Sequence, residues 1–235
     1  VIAFDTTGSM RSYIAAVRKH VEKTINDLFD TVPNLRLKIV AFGDYCDMQT
    51  PEVFGKAYQV IELTDNKAKL IQFVQDAKDT GGGDGDEFYE LVLHRIINET
   101  SWREEANKAI LLIADCDPHA VGYTLSPWVK NAQYDWRKEA KSAAEKNIKV
   151  DTLRIIPGTA WYAELSKITN GSCMDFRSSG KTADLVTAAT YMTSMSEKGI
   201  TKAKALYRKA FLDGDDELIG AYKGMSASRG IDLDK

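Results

Sequence analysis

The sequence predicts an α/β fold: a doubly wound, Rossmann-like sheet that is mostly parallel and has helices on both faces. Three observations predict it. Short apolar segments alternate with amphipathic segments along most of the 235 residues, an order typical of strand–helix–strand units. The run ILLI at 110–113 is apolar throughout, as in a strand that is buried on both sides. With 44% hydrophobic and 28% charged residues, the composition is that of a globular domain.

The apolar segments predict six strands. The second and the third are separated by DYCDMQTPEVFGK, a loop without a helical pattern. Because a parallel crossover needs about a dozen or more residues and is usually helical, we predict that the third strand is antiparallel and lies at an edge of the sheet. The predicted strands cover 1–5, 35–43, 57–63, 108–114, 148–156 and 172–176.

The amphipathic segments between the strands predict six helices. In the first of them, apolar residues recur every three or four positions from Ile14 to Leu28, which marks one face of a helix. In the third, Phe88, Leu91 and Ile96 share one side in the same way. The predicted helices cover 11–31, 66–78, 86–99, 127–146, 159–169 and 181–196.

The pattern changes after residue 196. The last segment contains two short helix candidates, near 200–212 and 215–224, and no predicted strand. We therefore interpret residues 1–196 as one domain, and residues 197–235 as a helical extension with a loose tail.

Charge and composition exclude several classes of function. The net charge is only −3, whereas nucleic-acid-binding domains carry a clear basic excess. No apolar run approaches the roughly 18 to 20 residues of a membrane span. The three cysteines are odd in number and none is paired at short spacing, which predicts reduced thiols and a cytoplasmic location. Neither CxxC nor HExxH occurs, which argues against a zinc site.

Polar residues gather where the predicted strands end. In a doubly wound sheet, ligands bind beyond the carboxyl ends of the strands, at the point where the strand order reverses. DTTGSM follows the first strand, ADCDPH follows the fourth, and DTGGGDGDE precedes the third helix. The candidate ligands in these three segments are Asp5, Thr7, Ser9, Asp84 and Asp115.

These residue types indicate a divalent cation. Carboxylates crowded at one end of a sheet repel one another, and a hard cation relieves that repulsion. Mg²⁺ takes about six oxygen ligands and accepts both carboxylate and hydroxyl oxygens. We therefore predict Mg²⁺, with Mn²⁺ or Ca²⁺ as alternatives. The three glycines at 81–83 allow the backbone to approach closely or to adopt a positive φ.

The same residues resemble the metal-ion-dependent adhesion site of von Willebrand factor A domains. The first motif of that family is D-x-[ST]-x-S, and here DTTGS matches it at Asp5, Thr7 and Ser9. A later aspartate ends the family's fourth strand, as Asp115 does here. The combination of DTTGSM, GGGDGDE and ADCDPH is closest to an intracellular branch found in bacteria and linked in some eukaryotes to alpha-kinases. The resemblance covers about 1–196.

The resemblance implies a sheet ordered 3-2-1-4-5-6 with the third strand antiparallel. It also implies a Mg²⁺ ion that hydroxyls bind directly and aspartates often bind through water, with the last position filled by an acidic side chain of a partner protein. The expected function is a Mg²⁺-dependent protein–protein interaction module, a non-catalytic adaptor within a larger intracellular assembly.

One departure from the family pattern leaves two possibilities open. The family's fourth ligand is often a threonine in the glycine-rich loop. Here Asp84 takes that place, while Thr80 takes it in another register. A third aspartate makes the site more negative, so we hypothesise either that Asp84 tightens metal binding and weakens the capture of an acidic partner, or that Asp84 has a different role. Nearby Asp44, Asp47 and His119 are interpreted as turn and loop residues.

The alternative function is a Mg²⁺-dependent phosphatase of the haloacid dehalogenase type. Those enzymes also begin with an apolar strand that runs into D-x-D-G-T, where the first aspartate is the nucleophile and the second is the general acid/base. Asp5 matches the nucleophile, but Thr7 stands where the second aspartate would be. Because a threonine cannot take that role, the binding module is the favoured interpretation.

Overall fold

The structure is a computed structural model that describes residues 1–48, 56–124, 134–156, 159–175 and 177–234. Six strands form its main sheet, in the spatial order β3-β2-β1-β4-β5-β6. β3 runs antiparallel to β2, and the other neighbours are parallel. The strands are β1 (Ile2–Asp5), β2 (Leu37–Phe42), β3 (Tyr58–Thr64), β4 (Lys108–Ala114), β5 (Ile148–Arg154) and β6 (Cys173–Asp175).

This arrangement confirms the predicted fold class, strand order and antiparallel edge strand. Eight helices occur within the described residues, and none of them is long and apolar enough to cross a membrane. The helices are α1 (Arg11–Thr31), α2 (Lys67–Asp76), α3 (Tyr89–Glu99), α4 (Trp136–Glu145), α5 (Trp161–Ile168), α6 (Thr182–Ser194), α7 (Glu197–Leu212) and α8 (Asp216–Ala227). The first part of the helix predicted over 127–146 lies largely outside the described residues.

The sheet separates two hydrophobic cores. Side chains of β1 alternate between them, as the two-residue period of a strand requires: Ile2 and Phe4 face one core and Ala3 faces the other. The first core also contains buried residues of α1, α2, α6, α7 and α8. The second contains those of α3, α4 and α5. Helices therefore cover both faces, as predicted.

The third helix begins later than its apolar pattern predicts. Asp86–Glu87 forms a two-residue parallel pairing with Asp117–Pro118, and α3 begins only at Tyr89. Because these residues pair with another segment, they are extended instead of helical. The pairing brings the end of the glycine-rich loop next to the loop that follows β4.

The C-terminal segment is packed against the domain, in contrast to the loose tail expected from the sequence. Leu233 is buried in the first core together with residues of α7 and α8. Arg229 forms an ion pair with Asp151 of β5, with 2.5 Å between Nη2 and Oδ2, and both side chains are at most 2% exposed. Arg229 also donates to the hydroxyl of Thr193 in α6. These contacts fasten the segment to the sheet.

Arg229→Met tests this attachment. Removing one partner of a buried ion pair leaves the other charge uncompensated, so we expect a loss of about 3 kcal/mol in the free energy of unfolding. Urea denaturation followed by circular dichroism measures it. The matched control is Arg208→Met, which removes an exposed arginine of α7 and should change stability by less than about 0.5 kcal/mol. Equal losses in both variants would contradict this account.

Helix α3 also buries an acid on its inner surface. Glu90 is 2% exposed, and its Oε1 accepts a hydrogen bond of 2.9 Å from the hydroxyl of Tyr45. Burial raises the pKa of Glu90 from 4.5 to about 7, because the charged form is poorly solvated there. The folded protein therefore holds this proton more tightly than the unfolded chain does.

This shift predicts a pH-dependent contribution to stability. The contribution of Glu90 is fully present below the unfolded pKa of 4.5 and is lost as the pH rises through the folded pKa of about 7. Glu90→Gln, which stays neutral, should therefore be more stable than the wild type at pH 8 by about 2 kcal/mol, and the difference should vanish near pH 4. Urea denaturation in EDTA at both pH values measures it, and a difference that does not change with pH would refute the argument.

Candidate functional site

The candidate site lies beyond the carboxyl ends of three adjacent strands. β1 is paired with β2 on one side and with β4 on the other, so the strand order reverses at β1, where doubly wound sheets bind ligands. Asp5 ends β1 opposite Phe42 of β2. Asp44 follows β2 by two residues and Asp115 follows β4 directly. The topology therefore gathers these three carboxylates at one end of the sheet.

Asp5 is fully buried and is held by three hydrogen bonds. Its Oδ1 accepts from the backbone N–H and from the hydroxyl of Thr7, each at 2.7 Å. Its Oδ2 accepts from the hydroxyl of Tyr89 at 2.6 Å. Burial raises the pKa of Asp5 to about 7, although these hydrogen bonds oppose the rise. The carboxylate of Asp5 is thus fixed in place, and its ionisation is energetically costly.

Asp115 lies close enough to Asp5 for the two charges to repel. It is 2% exposed, and its charge contributes to the raised pKa of Asp5. Tyr89 joins the two strand ends, since its hydroxyl donates to Asp5 and accepts from the backbone N–H of Cys116 at 3.2 Å. Three of the predicted ligands are therefore buried and lie next to one another: Asp5, Thr7 and Asp115. Ser9, in a short 3₁₀ turn before α1, is exposed.

Glu87 is a further buried acid at this site, and it was not among the ligands predicted from the sequence. It is 3% exposed, and its Oε2 has no hydrogen-bond partner among the described residues. Burial, together with the negative charges of neighbouring aspartates, raises the pKa of Glu87 to about 10. In decreasing order of effect, these aspartates are Asp5, Asp44, Asp47 and Asp115. The helix predicted over 86–99 places Glu87 in its first turn, whereas in the structure the helix begins at Tyr89.

The glycine-rich loop covers Glu87. Gly82 has a φ of +64°, and a methyl group on its Cα would lie 2.9 Å from Glu87 Oε1 and 3.5 Å from Thr7 Cγ2. Asp47 holds the loop, because its two carboxylate oxygens accept the N–H groups of Gly81 at 2.9 Å and Gly82 at 3.2 Å. A side chain at position 82 would therefore be strained and would displace Glu87.

A second polar group lies beside the first. Asp44, Asp84 and His119 each offer a ligand atom, and these atoms all lie within 4.8 Å of one another. His119 Nε2 is 2.6 Å from Asp44 Oδ1, and both residues are buried. Asp84 is exposed, and its Oδ2 accepts a 2.7 Å hydrogen bond from the hydroxyl of Tyr123. Two carboxylates and an imidazole form a set that can hold a divalent cation.

The protonation of His119 depends on Asp44. Burial lowers the pKa of this histidine, but the hydrogen bond and the charge of Asp44, together with the charges of Glu90 and Asp84, outweigh burial, so the pKa is raised overall. The ring stacks on Tyr123, with 3.7 Å between ring centroids. The contact with Asp44 therefore favours the charged form of His119.

The structure places the two alternatives for the fourth ligand differently. Asp84 belongs to the group with Asp44 and His119. Thr80 instead fastens the loop to the end of β1: its backbone N–H donates to the carbonyl of Thr6 at 2.9 Å, and the two threonine hydroxyls are 3.0 Å apart. Thr80 is 7% exposed, so its hydroxyl is engaged in the interior.

Comparisons with known proteins were made for sequence and for structure. No protein-family model and no curated protein matches the sequence. Among solved structures, a von Willebrand factor type A protein from Catenulispora acidiphila matches with a TM-score of 0.54 and 15% identity, over 87% of this chain and 42% of that one. The pilus adhesin SpaC from Lactobacillus rhamnosus GG, in an open conformation, matches with a TM-score of 0.56 and 15% identity, over 82% and 30%.

The chain thus spans less than half the length of either matched structure. At 15% identity the similarity to these structures is a similarity of fold. It agrees with the strand order, the antiparallel edge strand and the helices on both faces. This chain has the fold of a von Willebrand factor A domain.

Proposed function

We propose that this chain is a Mg²⁺-dependent protein–protein interaction module, a non-catalytic adaptor within a larger intracellular assembly. The observation that carries the proposal is the crowding of buried carboxylates beyond β1 and β4. Asp5 and Asp115 are almost completely buried and repel each other. A bound divalent cation offsets that repulsion and makes the burial of both acids favourable.

The contact between Asp5 and Thr7 suits a cation. Two oxygens that bind one Mg²⁺ at right angles lie about 3 Å apart, and the Thr7 hydroxyl is 2.7 Å from Asp5 Oδ1. The threonine hydroxyl donates its hydrogen bond to Asp5, and a lone pair of the hydroxyl oxygen remains to face the ion. The residues that we propose to hold the ion are Asp5, Thr7, Ser9, Asp84 and Asp115.

The metal itself is part of the proposal. Oxygen ligands favour Mg²⁺, and Ca²⁺ takes the same donors. Mn²⁺ is the alternative that also accepts an imidazole, which His119 offers close to Asp84.

The partner is proposed to be a protein whose acidic side chain completes the coordination. The exposed residues Ser9 and Asp84 leave the site open to such a group. One of the matched structures is a pilus adhesin, which supports a role in binding. An intracellular setting is supported by the three cysteines, all of which are free thiols.

Calorimetric titration with MgCl₂ tests the metal site. Asp5→Asn should weaken Mg²⁺ binding by about 10- to 100-fold, because it removes the charge of the central ligand. Asp213→Asn, which removes an exposed aspartate after α7, is the control and should bind as the wild type does. Unchanged affinity in Asp5→Asn would show that the ion is not held here.

Asp84→Thr in the same titration decides the role of Asp84. A loss of affinity relative to Asp86→Asn, which removes an exposed charge two residues away, is expected for a ligand. Equal affinities would place Asp84 outside the ligand set.

Partner capture tests the adaptor role. The wild-type chain, immobilised and exposed to lysate of the source cells, should retain a protein in Mg²⁺ and release it in EDTA, because the ion bridges the two proteins. Asp5→Asn should retain nothing above background. Retention that is insensitive to EDTA would contradict the proposal.

Mg²⁺-dependent hydrolysis of p-nitrophenyl phosphate that is lost in Asp5→Asn would instead support the phosphatase alternative.

A further inference from the structure

Glu87 carries a buried carboxylate oxygen that nothing in the described part of the chain satisfies. The residue is 3% exposed, and its Oε2 has no hydrogen-bond partner there. The ion pairs of the described residues do not include it either. Buried polar atoms in folded proteins are nearly always bonded, and an uncompensated buried carboxylate is costly. The unshared oxygen of Glu87 is therefore available to bind a further group.

The position of Glu87 identifies that group as a cation. The aspartate whose charge acts on it most strongly is Asp5, and Asp115 also acts on it. A methyl group on Gly82 would approach both Glu87 Oε1 and the side chain of Thr7, so the glutamate reaches under the loop towards the DTTGS segment. A bound cation satisfies such an oxygen and at the same time offsets the repulsion among the surrounding acids, which otherwise keeps Glu87 protonated.

The backbone fixes Glu87 in this position. The residue pairs with Pro118 in the short parallel ladder, and its carbonyl accepts the N–H of His119 at 3.3 Å. Above it, Asp47 holds the N–H groups of Gly81 and Gly82. The carboxylate is thus held between two loops, as a preorganised ligand should be.

We propose that Glu87 is a direct oxygen ligand of the cation held by Asp5, Thr7 and Asp115. The inference rests on the proposed metal site and adds to it a residue that the family motif does not contain. Its consequence is electrostatic: the three buried carboxylates of Asp5, Asp115 and Glu87 around one divalent ion leave a net charge of about −1, and Asp84, if it also binds, makes that charge more negative. Glu87 therefore strengthens the binding of the cation and makes the site less attractive to a second, incoming carboxylate.

Titration of the full chain with MgCl₂, in two Glu87 variants, tests the proposal. Glu87→Gln keeps the size of the side chain and removes the charge, and it should weaken Mg²⁺ binding by about 10-fold or more. Glu87→Asp keeps the charge but withdraws the oxygens, and it should also weaken binding by a comparable factor. A charge that acts only at a distance would leave Glu87→Asp close to the wild type, and this result would overturn direct ligation.

Glu90→Gln is the matched control. Glu90 is equally buried in the same segment, and its Oε2 also has no partner among the described residues, but its Oε1 is bound by Tyr45. Because a free buried oxygen alone should not hold the ion, this variant should bind Mg²⁺ within about twofold of the wild type. Urea denaturation in EDTA shows whether each variant folds, and Glu87→Gln should be at least as stable as the wild type because it removes an unpaired buried acid. Counting bound Mn²⁺ by electron paramagnetic resonance gives a second readout.

The titrations separate the two proposals. If Asp5→Asn loses the ion while Glu87→Gln binds it as the wild type does, the metal site stands and the role of Glu87 is refuted. If the wild type binds no Mg²⁺ or Mn²⁺, both proposals fail.

Discussion

The burial of negative charge at the end of β1 is the constraint on which the rest of the site depends. Asp5 is removed from water, so its position is maintained only by donors that reach it from other segments. Thr7 supplies two of them and Tyr89 supplies the third. Because Tyr89 also accepts the N–H of Cys116, the first turn of α3 is tied to both β1 and β4. One carboxylate thereby fixes the relative positions of three segments.

The acids around Asp5 fall into two kinds, which have different means of compensation. Asp44 and Asp47 are compensated within the protein: Asp44 contacts His119, and Asp47 binds the N–H groups of the glycine-rich loop. Asp115 and Glu87 have no such cationic or multiple N–H partner among the described residues. A structural network would satisfy all of its members. The unequal compensation is what favours a cation site over a purely structural cluster of acids.

The fold was predictable because local patterns carry it. The strand predicted over 108–114 and the helix predicted over 11–31 coincide with β4 and α1, since both have long, unbroken apolar periodicity. The errors lie where a distant segment competes with the local pattern. Asp86–Glu87 pairs with the chain after β4 instead of joining α3, and Arg229 binds Asp151, 78 residues away, which holds a tail that looks loose in sequence.

The sequence alone determined the strands and helices, the antiparallel edge strand, the end of the sheet that carries the polar loops, and the acids and hydroxyls available there, because each follows from strand ends and helix periodicity. The strand order came from the resemblance to von Willebrand factor A domains. Only the tertiary structure decided which of these groups contact one another. It placed Asp84 with Asp44 and His119, turned Thr80 towards Thr6, and brought Glu87 under Gly82. Asp44 and His119 are separated by 75 residues. A contact across that distance depends on how β2 and β4 pack beside β1, and the spacing of residues along the chain does not predict it.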